Sequence, residues 1–318
     1  MRLSRTLVAL GLAVLPWVPL ARAQSKPPGT ATSRPVANPA GRLRCPADMV
    51  AVGLVCVDRY EAYVVEVMSG GRTRAHSPYE PVAGLAVRAM NAKGRVPQGY
   101  ISRDEAELAC SAAGKRLCTD DEWLRACKGK GVTSWPYGRE RVPGRCNDRG
   151  TSSFNLLFGK DGEAPAQSEY TFDHLNDPRL NQSKGTLARS GAHARCKTSD
   201  GVFDMVGNLH EWTADPNGTF RGGYYLDVEI NGRGCDYRTT AHHDKYHDYS
   251  TGFRCCKTPG AKGSAAGAGL TKVKSISPPK PTSKGGKGSA PLAPASKPAK
   301  GGATPKAGAR AKGAAARR

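Results

Sequence analysis

The chain has 318 residues and carries 48 Lys and Arg against 27 Asp and Glu, a formal net charge of +21. The excess is uneven, because the residues after 257 hold ten Lys, three Arg and no acid, and residues 1–23 hold three more Arg. No aromatic residue lies among the lysines of the tail, which argues against a segment that reads nucleic-acid bases by stacking.

The N-terminus is typical of an export signal. Two early arginines precede an apolar stretch over 7–20, and a small-x-small triplet at 21–23 marks a cleavage site. We predict a signal peptide over 1–23. A retained membrane anchor is the alternative, although two prolines interrupt the short stretch. The mature protein is expected to be secreted or periplasmic, without a membrane span, and residues 24–44 are predicted to be a flexible linker.

The ten cysteines all lie between Cys45 and Cys256. In an exported chain this even number predicts a disulfide framework. A zinc site is the competing interpretation, and it is weak because no pair of CxxC motifs occurs. Cys45 and Cys56 bracket an apolar stretch that predicts a β-hairpin, and a local bridge between them fits that hairpin. The folded domain is predicted to cover 45–257.

Two helices follow with clear start signals. Residues 102–105 and 119–122 both match the capping box, a Ser or Thr followed three residues later by Glu. The first helix is predicted to end near Ala113, ahead of Gly114, and the second near Lys128. Each helix is expected to bury one apolar face.

The second half of the domain is predicted to contain little regular structure. Gly, Asn, Ser and Asp dominate residues 151–200, which predicts long loops. In residues 201–256 repeated glycines interrupt every helical run, and short aromatic pieces predict brief strands between ordered loops. Such a region buries little apolar surface, so we expect cross-links or bound ions to hold it.

One motif in this region suggests an ion site. In GVFDMVGNLHEWTAD (201–215), Asp204 and Glu211 flank a turn at Gly207. Carboxylate oxygens together with exposed backbone carbonyls are the ligands that calcium takes. The alternative is a polar turn whose acids only cap backbone amides.

Three motifs together resemble the formylglycine-generating, or sulfatase-modifying-factor, family. They are 201–215 followed by RGG and GFR, the stretch CSAAGKRLCTDDEWLRAC (110–127), and TSWPYG (133–138). Cys118 stands where the family pattern has Pro. The resemblance implies an α+β, C-type-lectin-like fold with little regular secondary structure across most of the domain.

The resemblance also implies ion ligands. The family positions that match Asp204 and Glu211 give side-chain oxygens to a structural calcium, and those that match Gly207 and Leu209 give backbone carbonyls. Asn147 lies near the family's other calcium loop and is a candidate side-chain ligand for a second ion.

One disulfide follows from the resemblance as well. Family members join the first helix to the Cys of the terminal GFRC motif, which corresponds to Cys110 and Cys255. The neighbouring Cys256 is able to take the place of Cys255.

The chain departs from the family at the catalytic cysteines. The family oxidase binds copper(I) through two thiolates, which are the soft ligands this ion selects. The first of these positions is occupied by Asp227, and Cys235 matches the second only after an insertion. Cys127 lacks its usual partner, so a Cys127–Cys235 bridge would leave no thiolate. Cys235 and Asp227 are therefore the catalytic candidates, but they do not form a two-thiolate copper site.

A histidine-rich tract gives an alternative metal site. His242, His243 and His247 lie close together in sequence, beside Asp244 and Asp248, and this ligand mixture suits iron, copper or zinc. The competing interpretation is a solvated loop.

Residues 258–318 are predicted to be a disordered basic tail. It is either a spacer or a non-specific contact with anionic envelope polymers or extracellular DNA. Two functions compete for the domain as a whole. It is a calcium-stabilised binding module for a peptide or glycan, or a metal-dependent oxidoreductase acting on a peptide or small molecule.

Overall fold

The structure, a computed structural model, describes residues 43–161, 163–240 and 242–260. The predicted signal peptide, nearly all of the linker and almost the whole basic tail lie outside the described residues. The helices are α1 (Arg103–Ala112), α2 (Asp120–Lys128), α3 (Ser153–Phe158) and α4 (Phe172–Leu175). The strands are β1 (Met49–Val52), β2 (Val55–Asp58), β3 (Ala62–Val67), β4 (Thr73–Ala75), β5 (Val87–Asn91), β6 (Arg116–Leu117), β7 (His210–Trp212), β8 (Phe220–Arg221), β9 (Arg238–Thr239), β10 (Thr251–Phe253) and β11 (Cys255–Lys257).

The strands form three small sheets. The first has the order β1-β2-β11-β6 and is antiparallel throughout. The second has the order β10-β7-β8-β9, with β10 and β7 parallel and the other pairs antiparallel. The third, β4-β3-β5, is antiparallel. The last strand of the domain, β11, therefore lies between β2 and β6. This mixture of short helices and short strands is the α+β fold with little regular secondary structure that the sequence predicted.

Both predicted helices form behind the capping boxes. The Ser102 hydroxyl accepts a hydrogen bond from the Glu105 amide, and the Glu105 carboxylate accepts one from the Ser102 amide. Thr119 and Glu122 make the same reciprocal pair at the start of α2. Each box satisfies amides that the first turn of a helix leaves without partners. The helices are therefore fixed by local chemistry.

Residues 151–200 contain two short helices that the sequence did not predict. Ser152 caps α3 and Thr171 caps α4 through their hydroxyls. Phe154 of α3 stacks on Tyr170, with ring centroids 4.6 Å apart. Packing between aromatic rings, rather than helix propensity, stabilises these single turns, because helices this short are not stable alone.

Three tryptophans occupy the centre of the domain. Trp123, Trp135 and Trp212 are all fully buried. Trp123 and Trp135 belong to a cluster with α2 and the first sheet, and Trp212 belongs to a cluster with α1 and β10. Burying a large apolar side chain contributes about 1.5–3 kcal/mol, so these residues are main contributors to the packing of both clusters. Among the described residues, none of the helices combines the length and the apolar character that crossing a bilayer requires.

Five disulfides cross-link the domain, and they include all ten cysteines of the chain. The pairs are Cys45–Cys56, Cys110–Cys255, Cys118–Cys256, Cys127–Cys235 and Cys146–Cys196. The first, second and fourth pairs are those named in the sequence analysis, and the other two were not assigned there. The adjacent Cys255 and Cys256 tie β11 to α1 and to the segment that follows β6. A disulfide framework of this density is typical of an oxidising, extracytoplasmic compartment.

Candidate functional site

A buried ion pair lies at the centre of the predicted calcium motif. Both oxygens of Glu211, on β7, accept hydrogen bonds from Arg254, at 2.5 and 2.6 Å. One of these oxygens also accepts the indole N–H of Trp123, at 2.6 Å. The Arg254 guanidinium is fully buried and donates further to the carbonyls of Asp58 and Phe203. Arg254 is the arginine of the GFR motif, so the structure gives that motif a physical role.

Two further buried acids surround this pair. Burial raises the pKa of Asp204 to about 7, although its carboxylate accepts the Gly191 amide at 2.6 Å. Burial raises the pKa of Glu61 well above its ordinary value, and the neighbouring carboxylates of Asp204 and Glu211 raise it further. One Glu61 oxygen, Oε1, accepts no hydrogen bond from any described residue. Three buried carboxyl groups therefore share one buried guanidinium, Arg254.

Asn208 connects this cluster to two loops. Its side-chain amide donates to Glu61 Oε2 at 2.6 Å, and its side-chain oxygen accepts from Asn147 and from the Ala188 amide. Asn208 has φ of 61°, a left-handed conformation that Asn tolerates better than most residues. At Gly207 a Cβ would lie 2.2 Å from the Asn147 carbonyl oxygen, so only glycine permits this close approach. The predicted second-calcium candidate, Asn147, is thus bound to the first motif.

The cluster has some of the oxygen donors that a divalent cation takes, but both Glu211 oxygens are already bonded by Arg254. With all three carboxyl groups ionised, Glu61, Asp204 and Glu211 exceed the charge of Arg254 by two. The unpartnered Glu61 oxygen is a hard donor of the kind that calcium takes. Over the described ranges, no three His, Cys, Asp or Glu side chains are arranged to hold a metal by themselves. A cation here would therefore need backbone carbonyls as well, as the family ligand set with Gly207 and Leu209 has them.

The two catalytic candidates are engaged in structural roles. Cys235 is bonded to Cys127, so it offers no thiolate. One oxygen of Asp227 accepts the amides of Glu229 and Ile230, and the other accepts the Tyr237 hydroxyl at 2.9 Å. This is a carboxylate that closes a turn. The structure therefore brings neither candidate into a reactive pair.

The histidine tract is a series of turns, and its three histidines face different partners. His242 stacks on Tyr246, with ring centroids 3.8 Å apart. The His243 ring nitrogen Nδ1 accepts the Lys245 amide, and the His247 ring bonds the side-chain oxygen of Asn176 at 2.7 Å. Because the segment is not helical, His243 and His247 do not share a helix face. The structure does not bring the three rings together around one point.

A small aromatic cavity of about 80 Å³ lies beside this tract. Tyrosines 170, 224, 246 and 249 line it together with His210, His242 and Asp248. His210 is buried against the rings of Phe220 and Tyr224, and burial lowers its pKa to about 3, so its imidazole is neutral. Three lining residues, His210, Asn155 and Tyr170, each carry a buried polar atom without a hydrogen-bond partner among the described residues. The cavity combines aromatic walls with polar atoms that a ligand can satisfy.

The family model for the sulfatase-modifying factor enzyme 1-like domain matches residues 27–259. The chain belongs to this family. The match spans the described domain, including the capped helices, the Asp204–Glu211 motif and the Arg254 ion pair. The resemblance drawn from the sequence motifs is therefore confirmed.

Two curated relatives in this sulfatase-modifying-factor group are similar to the chain. "Inactive C-alpha-formylglycine-generating enzyme 2" of Mus musculus is 26% identical over 187 residues, which is 53% of this chain and 51% of the relative. The Bos taurus protein of the same name is 26% identical over 183 residues, 52% of this chain and 51% of that one. The alignments thus span about half the length of the curated relatives.

Among solved structures, Treponema denticola variable protein 1 aligns with a TM-score of 0.38 and 14% identity. The alignment covers 68% of this chain and 100% of that one. A likeness at this level carries no functional argument.

Sequence reasoning missed the partners of the motif rather than the motif itself. Neither Glu61 nor Asn208 was singled out from the sequence, and Arg254 was considered only as part of the GFR motif. The available signal was the position of Glu211 beside Trp212 in a predicted brief strand, since a carboxylate buried there requires a buried cation. The aromatic cavity had no local sequence signal, because its rings come from five separate segments.

Proposed function

We propose that the domain is a binding module without formylglycine-generating chemistry. The single observation that carries this proposal is that all ten cysteines are in disulfides, so no thiolate pair is available for copper(I). The names of the mouse and bovine relatives, which describe inactive enzymes, support it. An oxidoreductase would need a metal site elsewhere in the domain. His242, His243 and His247 contact different residues and do not face a common point, so they do not support this alternative.

The aromatic cavity is the proposed ligand site. Its volume of about 80 Å³ is about half that of an engineered cavity of about 150 Å³ that binds benzene in another protein, so it takes a small terminal group rather than a whole sugar ring. The side chain of a peptide or the acetamido group of a glycan is of this size and offers both polar and apolar contacts. The partnerless atoms of Asn155, Tyr170 and His210 favour such a group.

Binding of the full chain to arrays of N-acetylhexosamine oligosaccharides and of tetrapeptides tests this site. Tyr170→Phe removes only the unpartnered hydroxyl, and we expect affinity for the bound probe to fall about five- to tenfold, the worth of one hydrogen bond. Tyr79→Phe, outside the cavity, is the matched control. Oxidation of a cysteine peptide in the presence of copper(I) and oxygen would contradict the binding-module proposal.

Calcium is proposed as the stabilising ion of the acid cluster. Ligands would come from Asp204 and Glu211 and from the carbonyls of Gly207 and Leu209, with Glu61 as a further oxygen donor. Neutralising excess buried charge should raise the thermal midpoint in calcium relative to a chelator, by the equivalent of about 2.7 kcal/mol at one hundred times the dissociation constant.

Differential scanning fluorimetry with calcium, magnesium or a chelator measures this shift. Asp204→Asn keeps the side-chain shape and should abolish the calcium shift, whereas Asp236→Asn, at a half-exposed surface ion pair, should retain it. A wild-type midpoint that is the same in calcium and chelator would rule the ion out.

We propose that the binding module acts outside the cytoplasm. The five disulfides support an extracytoplasmic protein, and the sequence of residues 1–23 supports a cleaved signal peptide that releases it to the periplasm or medium. The basic tail would then attach the domain non-specifically to anionic envelope polymers or extracellular DNA. An ion near Asn147 is a lesser proposal, because that amide already donates to Asn208 and Thr186.

A further inference from the structure

A second cavity, of about 170 Å³, lies against the third sheet and shares no lining residue with the aromatic cavity. Tyr63 of β3 and His76, just after β4, form one side of it. Arg95, Gln98 and Arg189 come from two loops that complete it. None of these residues belongs to the acid cluster or to the aromatic cavity.

Backbone pairing places the two arginines side by side at the rim. The Gly94 amide donates to the Ser190 carbonyl and the Ser190 amide donates to the Arg95 carbonyl, both at 2.8 Å. The Arg95 guanidinium lies 4.8 Å from the centre of the Tyr63 ring, and Arg189 donates to the Gly94 carbonyl at 3.0 Å. The loops therefore hold both cations at one mouth.

Neither arginine is neutralised by the surrounding protein. Within the described residues, neither Arg95 nor Arg189 forms an ion pair with a carboxylate. The acid bonded to the wall residue His76 is Glu66, which is itself bonded by Arg74 and does not line the cavity. The mouth consequently has a positive charge that an anionic ligand can meet.

Gln98 gives the cavity a buried acceptor. The residue is 1% exposed, and its side-chain N–H groups donate to the carbonyls of Glu80 at 3.0 Å and Gly99 at 2.8 Å. These two acceptors fix the orientation of the amide. Its oxygen Oε1 has no hydrogen-bond partner among the described residues. A buried carbonyl oxygen of this kind requires a donor, which a hydroxyl group supplies.

We propose that this cavity binds a hexuronic acid unit, a six-membered sugar ring that carries a carboxylate. The carboxylate meets Arg95 and Arg189, because guanidinium groups bind carboxylates with charge-assisted hydrogen bonds. A ring hydroxyl donates to Gln98 Oε1. An engineered cavity of about 150 Å³ in another protein binds benzene, so a cavity of about 170 Å³ holds part of the sugar, with the rest at the open mouth beside the exposed arginines. This inference does not depend on the proposed function of the aromatic cavity.

Titration calorimetry of the full chain with glucuronate and galacturonate tests the proposal, with glucose as the neutral ligand of the same size. We expect at least one of the two acids to bind and glucose to bind about tenfold more weakly or worse. The doubly substituted Arg95→Gln, Arg189→Gln protein should lose about tenfold or more in affinity for the acid. Both arginines are exposed, so the substitutions leave the fold intact.

Two controls separate the cavity from the general positive charge of the domain surface and from the aromatic site. Arg72→Gln removes an exposed arginine that does not line the cavity, and Tyr170→Phe alters only the aromatic site. Both should bind the acid as the wild type does. Equal affinity for glucose and glucuronate, an equal loss in Arg72→Gln, or no binding of either acid would overturn the proposal.

A pentasaccharide of the same uronic acid, offered next, distinguishes a free sugar from a unit of an acidic polysaccharide. Affinity that rises with chain length and still falls in the Arg95→Gln, Arg189→Gln protein supports the polysaccharide as the source. Affinity that does not change with length supports the free acid.

Discussion

Replacing Arg254 with Met is expected to lower the free energy of unfolding by about 3–5 kcal/mol, the usual cost of removing one partner from a buried ion pair. Met fills much of the volume but leaves the Glu211 carboxylate buried with only the Trp123 indole as a donor. It also leaves the buried carboxyl groups of Glu61 and Asp204 beside a Glu211 carboxylate whose charge Arg254 no longer balances. Guanidinium denaturation at neutral pH, with disulfides intact, measures the loss.

Two further variants test whether the unpaired charge causes this loss of stability. Arg116→Gln removes an arginine whose ion pair with Glu122 is partly exposed, and it should cost about 1 kcal/mol or less. Adding Glu211→Gln to Arg254→Met removes the unpaired charge and should recover part of the stability. If Arg254→Met costs no more than Arg116→Gln, the buried cluster is not a main contributor to the fold.

Removing the Cys110–Cys255 bridge alone is expected to cost about 3 kcal/mol, not the value of about 5 kcal/mol that its sequence separation of 145 residues would give. The intact Cys118–Cys256 bridge already connects the two segments and leaves a loop of only about ten residues for Cys110–Cys255 to close. The Cys45–Cys56 bridge spans 11 residues and should cost about 3 kcal/mol on the same chain-entropy model. The two double Ala proteins are matched, since each loses two buried or partly buried sulfur atoms. Equilibrium denaturation of both against the wild type gives the difference directly.

The size of the Cys110–Cys255 loss is the informative result. Similar losses for the two bridges are expected, because both close short loops when the other disulfides are intact. A loss near 5 kcal/mol for Cys110–Cys255 would contradict this and would mean that the Cys118–Cys256 bridge does not shorten its loop.

The parts of the fold that could be predicted from sequence are those stabilised by contacts between residues close together in the chain. The helices after Ser102 and Thr119 were predictable because their capping bonds join residues three apart. The turns α3 and α4 were not, because aromatic packing from distant segments stabilises them. A local signal exists for the first case and none for the second.

The candidate site divides in the same way. Asp204 and Glu211 stood out because they share one short motif, whereas the counter-ion Arg254 lies between β10 and β11 and bonds Glu211 only after folding. The disulfide pairing could also be predicted only in part from the sequence. Cys255 and Cys256 are adjacent and chemically alike, so only the structure assigns Cys256 to Cys118.

The position of β11 between β2 and β6 has a consequence for biogenesis. The first sheet stays open along its middle until the residues around 257 have been synthesised. Until then Cys110, Cys118 and Cys127 emerge without their partners at 255, 256 and 235. The cell must therefore keep three early thiols from pairing with each other. We therefore expect oxidative folding of this domain to depend on thiol–disulfide exchange that corrects early mispairing.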